Sequence, residues 1–210
     1  MMKLLKNVKF LAIVAVLVIG VGFAWFKLGV QPTQAASTKV SGHEPLNVLV
    51  IGTTDNGKTQ SSMTLVSLNP KKQETLLTQI PNNEETTIRG YKNYALMPLS
   101  TAFDAGGATT AVQTVRDLMH VSVDGAVVTT QKTATNLAKV GALNVLKDNT
   151  STSFSTRQLK TITSDYLAAT RTVKTQRLTG AKRVANGQTL SLATPTDLTH
   201  VQNAISATLK

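Results

Sequence analysis

From Phe10 to Phe26 the chain runs without a charged residue, and no other feature restricts its possible folds as tightly. Continued past Lys27 to Val30, a helix over this stretch has 21 residues. Its length of about 31 Å matches the hydrocarbon core of a bilayer. Lys27 falls near the outer end, where its aliphatic stem can lift the ammonium to the headgroups. Lys3, Lys6 and Lys9 precede the run and no acidic residue does. The positive-inside bias therefore keeps residues 1–9 as a basic cytoplasmic tail and sends everything after the span to the outer side of the cytoplasmic membrane. The expectation is a single-pass protein with its N-terminus inside and its domain outside. A cleaved signal peptide is the alternative, because Thr33-Gln34-Ala35 followed by Ala36 offers small residues at a peptidase site. The apolar run exceeds the roughly 7–15 residues of a signal core, which favours retention.

Charge narrows the partners. Without Lys3, Lys6, Lys9 and Lys27, 18 of the 22 basic residues remain against 11 acidic ones, so the exported part carries about +7 and favours anionic surfaces. Export, an aromatic content of 4% and the lack of a clustered Lys/Arg run point to lipid headgroups or anionic wall polymer and away from nucleic acid. The chain has no cysteine, and His43, His120 and His200 are too scattered to resemble a metal motif.

Residues 31–45, with their Thr, Ser, Gly and two prolines, are expected to be a linker between the membrane and a domain over 46–210. Asn47-Val48-Leu49-Val50-Ile51, ending at Gly52, suits a strand buried on both faces. Met63–Leu68 and Glu74–Ile80 flank the turn-rich Asn69-Pro70-Lys71-Lys72 and predict an antiparallel hairpin. Ala108–Met119 has the apolar stripe of an amphipathic helix. Gly125–Thr129 predicts a strand and Thr133–Val140 a short helix. Ser155-Thr156-Arg157-Gln158 is a capping box, and Leu159, Ile162, Tyr166 and Ala169 share one face of the helix that should follow. Val173–Leu178 predicts a strand, Asn186-Gly187 a hairpin turn and Gln188–Leu192 the returning strand. In the last helix Thr194 caps, Pro195 takes the first position and Asp197 meets the positive end of the dipole. Leu198, Val201, Ile205 and Leu209 form its buried face. The class is α/β, a mixed central sheet flanked by helices.

Gly52-Thr53-Thr54-Asp55-Asn56-Gly57-Lys58-Thr59 matches the Walker A pattern literally. A P-loop-type nucleotide binder at Gly52–Thr59 is thus one alternative. That chemistry needs a helix opening at Lys58-Thr59 to present amides and dipole to phosphate. The residues that follow, Gln60 to Leu68, favour a strand.

The same segment, "NVLVIGTTDNGKTQSSMTLVSLNP" (Asn47 to Pro70), resembles the opening of the LytR-CpsA-Psr domain. The resemblance continues through "LLTQIPNN" (Leu76 to Asn83), "STAFDAGGATTAVQTVRDLM" (Ser100 to Met119) and "DGAVVTTQKTATNLAKVGALNVL" (Asp124 to Leu146), and resumes at Ser153 for the C-terminal third. It covers most of the exported chain. The resemblance implies an α/β fold behind a membrane anchor in the cell envelope of Gram-positive bacteria. It also implies a phosphotransferase that moves glycopolymers such as teichoic acid or capsule from a polyprenyl-pyrophosphate carrier to peptidoglycan. Arginines would clamp the pyrophosphate and acidic residues would hold Mg2+.

Several family positions have lost their charge here. The Arg-Ser-Asp-Thr motif falls on Thr59-Gln60-Ser61-Ser62, and Pro-Arg-Asp falls on Pro81-Asn82-Asn83. The family's asparagine becomes Ser100, ahead of Phe103 and Gly106-Gly107, and Gly-x-Asp becomes Gly52-Thr53-Thr54 with Asp55 one residue late. The arginine-rich stretch in the family's middle is reduced to Lys147–Ser153. An asparagine in place of arginine removes a bidentate phosphate clamp together with its charge. This copy is therefore expected to be a catalytically impaired, internally shortened member with a binding or accessory role, an active paralogue being one candidate partner. Candidate pyrophosphate- or polymer-binding residues are Lys58, Ser61, Asn82, Asn83, Arg89, Lys92 and Ser100. Asp55 is the candidate metal ligand, and Asp55 and Lys58 are the candidates for any surviving catalysis. The alternative is an active transferase with relocated charges.

Overall fold

The computed structural model describes residues 40, 44–54, 60–88, 96–147, 149, 151–185 and 187–210. The basic tail, the apolar span and most of the expected linker lie outside them. No helix among the described residues is long and apolar enough to cross a membrane.

Eight successive buried residues make β1 (Leu46–Thr53), whose two faces are both covered. It runs antiparallel to β2 (Gln60–Asn69), and β2 antiparallel to β3 (Glu74–Ile80), in the expected hairpin. Asn69 makes the turn: its Oδ1 accepts from Lys71 N and Lys72 N at 3.0 and 3.1 Å, and its Nδ2 donates to Thr208 O at 2.7 Å. β4 (Glu85–Thr87) and β5 (Leu96–Pro98) form a small ribbon that leads into α1 (Ser100–Met119). β6 (Gly125–Thr130) lies parallel to β1. Three short helices follow, α2 (Gln131–Thr135), α3 (Leu137–Val140) and α4 (Ala142–Lys147), and then β7 (Ser151–Thr152). α5 (Thr156–Asp165) and a 3-10 turn (Leu167–Thr170) lead to β8 (Thr172–Arg177), which joins β3 in parallel. A separate hairpin, β9 (Ala181–Ala185) and β10 (Gln188–Leu192), precedes α6 (Pro195–Leu209). The main sheet has the order β7-β6-β1-β2-β3-β8.

Strand alternation divides the core. Leu49, Ile51, Met63 and Leu65 face one side, against Val112, Val115 and Met119 of α1 and Val201 and Ile205 of α6. Val48, Val50, Val66 and Leu68 face the other, against Leu137, Val145, Leu146, Ile162 and Tyr166. Each such side chain contributes about 1.5–3 kcal/mol by leaving water.

The mixed sheet flanked by helices agrees with the sequence expectation, with local differences that have physical causes. Helix α1 begins at Ser100 but is interrupted at Gly106-Gly107, where Gly107 has φ 64°, so its regular stretch starts at Ala108 as the periodicity predicts. The expected helix over Thr133–Val140 is two helices. They part at Asn136, whose Nδ2 turns back to Lys132 O. The capping box forms at Ser155/Gln158, and the expected Thr194 cap proves to be a second one, with Asp197 reaching back to Thr194 N. Tyr166 and Ala169 are buried as expected but lie past the end of α5, at its cap and in the 3-10 turn. Gln188–Leu192 returns along Ala181–Ala185, a strand that the sequence pattern did not delimit, while Thr172–Arg177 pairs elsewhere. Of the expected linker, Val40 packs on the core and Glu44 O accepts from the Tyr166 hydroxyl, so its last residues belong to the domain. The short Lys147–Ser153 connection contains β7, which pairs antiparallel with β6.

Candidate functional site

Several strand ends converge at one edge of the sheet. β1 ends at Thr53, whose hydroxyl donates to Thr129 O on β6 at 3.2 Å. Beyond the segment 55–59, which lies outside the described residues, the chain re-enters the sheet at Gln60, opposite Thr53 after a register shift. A strand therefore stands where the Walker A mechanism requires a helix, which removes the P-loop alternative. Gln60 is buried; its Nε2 donates to Asn82 Oδ1 at 3.0 Å, and its Oε1 has no hydrogen-bond partner among the described residues.

Pro81-Asn82-Asn83-Glu84 is the hub of this edge. Glu84 N closes a tight turn onto Pro81 O at 3.1 Å. Ser100 N, at the start of α1, donates to Asn82 O at 2.9 Å, and Leu99 N to Glu84 O at 2.8 Å. Asn83 Nδ2 donates to Thr189 O at 2.9 Å, and Ser191 N to Asn83 O at 2.9 Å, which ties down β10. The Glu84 side chain is fully buried; its Oε1 accepts from Ala193 N at 2.6 Å and its Oε2 has no hydrogen-bond partner among the described residues. Burial pushes this carboxyl above its ordinary value of 4.5, and the nearby Asp197 and Glu85 charges push the same way, against hydrogen bonds from Ala193 and Ser191. Glu85, also buried, receives Arg183 Nη1 on both oxygens at 3.3 and 3.2 Å.

Two open clefts share Asn82 and Asn83 as their common wall. One, of about 280 Å3, is lined by Ser62, Thr64, Gln79 and Arg177 together with Ala134 and Thr135 of α2. The other, of about 480 Å3, is bounded by Met97, Pro98, Ser100 and Thr101 on one side and Gln188 to Leu190 on the other. Among the described residues, Arg177 is the one charged side chain in either lining.

Asn82, Asn83 and Ser100 line one of the two clefts together. Ser61 lies on β2 at the same edge. Asp55, Lys58, Arg89 and Lys92 lie outside the described residues. Sequence reasoning missed Arg177, Gln79 and Thr64, which share a cleft through the pairing of β3 with β8, and it missed Glu84. The one available signal was a Glu following Pro-Asn-Asn between two core elements.

Residues 28–129 match the LytR_cpsA_psr family model. Over that stretch the chain is similar to the LytR-CpsA-Psr family. Biofilm regulatory protein A of Streptococcus mutans is 27% identical over 105 residues, which are 44% of this chain and 26% of that protein. The match therefore spans about a quarter of that relative. A solved structure of the family protein TagT with bound octaprenyl pyrophosphate lipid has a TM-score of 0.64 at 15% identity, over 86% of this chain and 97% of that one. A structure from Enterococcus faecalis described as a transcriptional regulator gives 0.65 at 18% identity, over 79% and 88%. These two likenesses establish the shared fold.

The Mg2+ that the family resemblance implies prefers carboxylate oxygens with octahedral geometry. Here the polar groups lining the two clefts are amides and hydroxyls besides Arg177, while Glu84 and Glu85 are buried outside both linings, Glu84 holding Ala193 N and Glu85 holding Arg183. No group of three His, Asp or Glu residues that could hold a metal occurs among the described residues. The described donor set does not fit Mg2+.

Proposed function

We propose that this chain is an envelope protein on the outer face of the cytoplasmic membrane that binds polyprenyl-linked precursor or anionic wall polymer without transferring it. One observation carries the reading: apart from apolar residues, the clefts at the strand ends are lined by neutral amides and hydroxyls, with Arg177 as the sole cation and no carboxylate among the described lining residues. Phosphoryl transfer works by positioning and charge neutralisation, and losing one cationic contact in such a site can cost orders of magnitude in rate. Asn82 and Asn83, where the family pattern has Arg and Asp, are committed to holding Gln60 and β10. The lipid-bound state of TagT supports a polyprenyl ligand for this fold. A membrane span over residues 10–30 would hold the domain where such lipids present their headgroups, and an active paralogue is a candidate partner.

Asp55, Lys58, Arg89 and Lys92 keep an active transferase as the second reading, because the segments 55–59 and 89–95 leave directly from β1 and β2 and from the β4–β5 ribbon. The test uses the full chain in detergent with octaprenyl pyrophosphate and Mg2+, following phosphate release. The expected result is release at the buffer rate. Turnover that disappears in Asp55→Asn or Lys58→Ala would establish the second reading instead.

A further inference from the structure

Charge is divided unevenly between the two helical layers. Residues 131–165, which supply α2 to α5, hold Lys132, Lys139, Lys147, Arg157 and Lys160 against Asp148 and Asp165. On the other side of the sheet, α1 and α6 with the following Lys210 hold Arg116 and Lys210 against Asp104, Asp117 and Asp197. One layer is cationic and the other slightly acidic, so the field of the domain has a direction. Burial decides where the cations sit: Ala134, Leu137, Leu146 and Ile162 turn to the sheet, and all five cations are exposed. None of the five joins an ion pair among the described residues. Two large apolar side chains of the same layer, Val140 on α3 and Leu167 just after α5, are 39% and 65% exposed. The chain also enters the domain on this side, where Val40 packs on the cluster that α2 to α5 cover and Glu44 O accepts from the Tyr166 hydroxyl. With the span over residues 10–30, nine residues, 31–39, lead to Val40 and reach at most about 30 Å. A tether of that length keeps this layer near the outer leaflet.

We propose that the outward face of α2 to α5 docks on the anionic phospholipid headgroups of the outer leaflet, with the five cations at the phosphates and Val140 and Leu167 entering the boundary beneath them. Each Lys or Arg near an anionic surface favours the docked state about fivefold. Their long stems cover apolar surface while the charged ends stay among the headgroups, as on an interfacial amphipathic helix. A soluble anionic polymer would match the charges but leave Val140 and Leu167 in water. Ala134 and Thr135 of α2 also line the smaller cleft, so docking brings the rim of that cleft to headgroup level. This docking rests on the membrane-anchored reading above and specifies which face of the domain meets the lipid.

The chain has no cysteine, so single labels can be placed without background. Leu167→Cys, Val140→Cys and, on α6, Asn203→Cys each carry a nitroxide in the full chain, reconstituted into nanodiscs of phosphatidylcholine alone or with phosphatidylglycerol added. The readout is collision of the label with oxygen, which concentrates in lipid, against collision with a water-soluble nickel chelate. With phosphatidylglycerol the labels at positions 167 and 140 should gain oxygen contact and lose nickel contact, while the label at 203 stays aqueous. Raising the salt concentration should reverse the change, because headgroup attraction is screened. Lys139→Gln and Lys160→Gln should each lower the ratio of docked to free domain about fivefold. Labels at 167 and 140 that stay aqueous in both lipids, or a label at 203 that enters instead, overturn the docking surface. Binding of soluble poly(glycerol phosphate) with the labels at 167 and 140 still in water would assign the face to wall polymer and overturn it too. A chain that leaves the disc overturns the anchor together with this surface, whereas a retained chain with aqueous labels overturns the surface alone.

Discussion

Glu84 shows how one side chain can serve as a joint. Its carboxylate is fully buried, holds Ala193 N at 2.6 Å, and leaves its second oxygen without a hydrogen-bond partner among the described residues. Burial raises its pKa above 4.5, so the folded state keeps the proton to higher pH than the unfolded chain does. Its effect on stability is most favourable below about 4.5 and is lost as pH rises through the raised value, by at most about 1.4 kcal/mol per pH unit. Glu74 works in the opposite direction. The hydrogen bond from Lys174, at 2.8 Å, holds its pKa down, and its contribution is lost as pH falls through that lowered value. Comparing Glu84→Gln with the parent isolates Glu84. The melting temperature of the variant relative to the parent should climb as pH is raised from 4 to 8, and a flat difference would contradict the assignment. The Glu after Pro-Asn-Asn was visible in the sequence but its burial was not, because its neighbours in the chain do not show that it will sit beneath a distant strand.

At the scale of elements, the local signals were accurate. The capping boxes at Ser155 and Thr194, the buried run of β1 and the hairpin around Asn69-Pro70 all depend on residues a few positions apart. The β9–β10 hairpin was half legible: Asn186-Gly187 marks its turn, but β9 is exposed at four of its five positions and carries no buried pattern. Its attachment depends on Gly180. A Cβ there would lie 2.6 Å from the Leu192 carbonyl carbon and 2.7 Å from Ala193 N, both backbone atoms that cannot swing away. Gly180→Ala should therefore destabilise the fold by about 1–3 kcal/mol in urea unfolding. Amide exchange should accelerate at Ser191 and Ala193, which Asn83 and Glu84 hold.

For the whole molecule, the proposed topology rests on the apolar span and its preceding lysines alone. The chain purified from membranes should retain the segment from Met1 to Ala35 in its intact mass, and protease added to intact protoplasts should remove the domain while sparing residues 1–9. A mature start at Ala36 would replace the anchor with a signal peptide. The family resemblance was legible because long segments preserve its pattern, and so was the neutral character of Asn82 and Asn83 where that pattern has Arg and Asp. What remained invisible was the neighbour of each residue across the sheet. By itself the sequence determined the candidate span, the main strands and longer helices, the caps and the family resemblance, since all of these are written in short-range periodicity and contiguous motifs. Only the tertiary structure decided that β8 pairs with β3 and so brings Thr64, Gln79 and Arg177 into one row. The physical reason is that a strand's partner is chosen by burying both faces of a six-stranded sheet at once, a condition that no local stretch of chain can express.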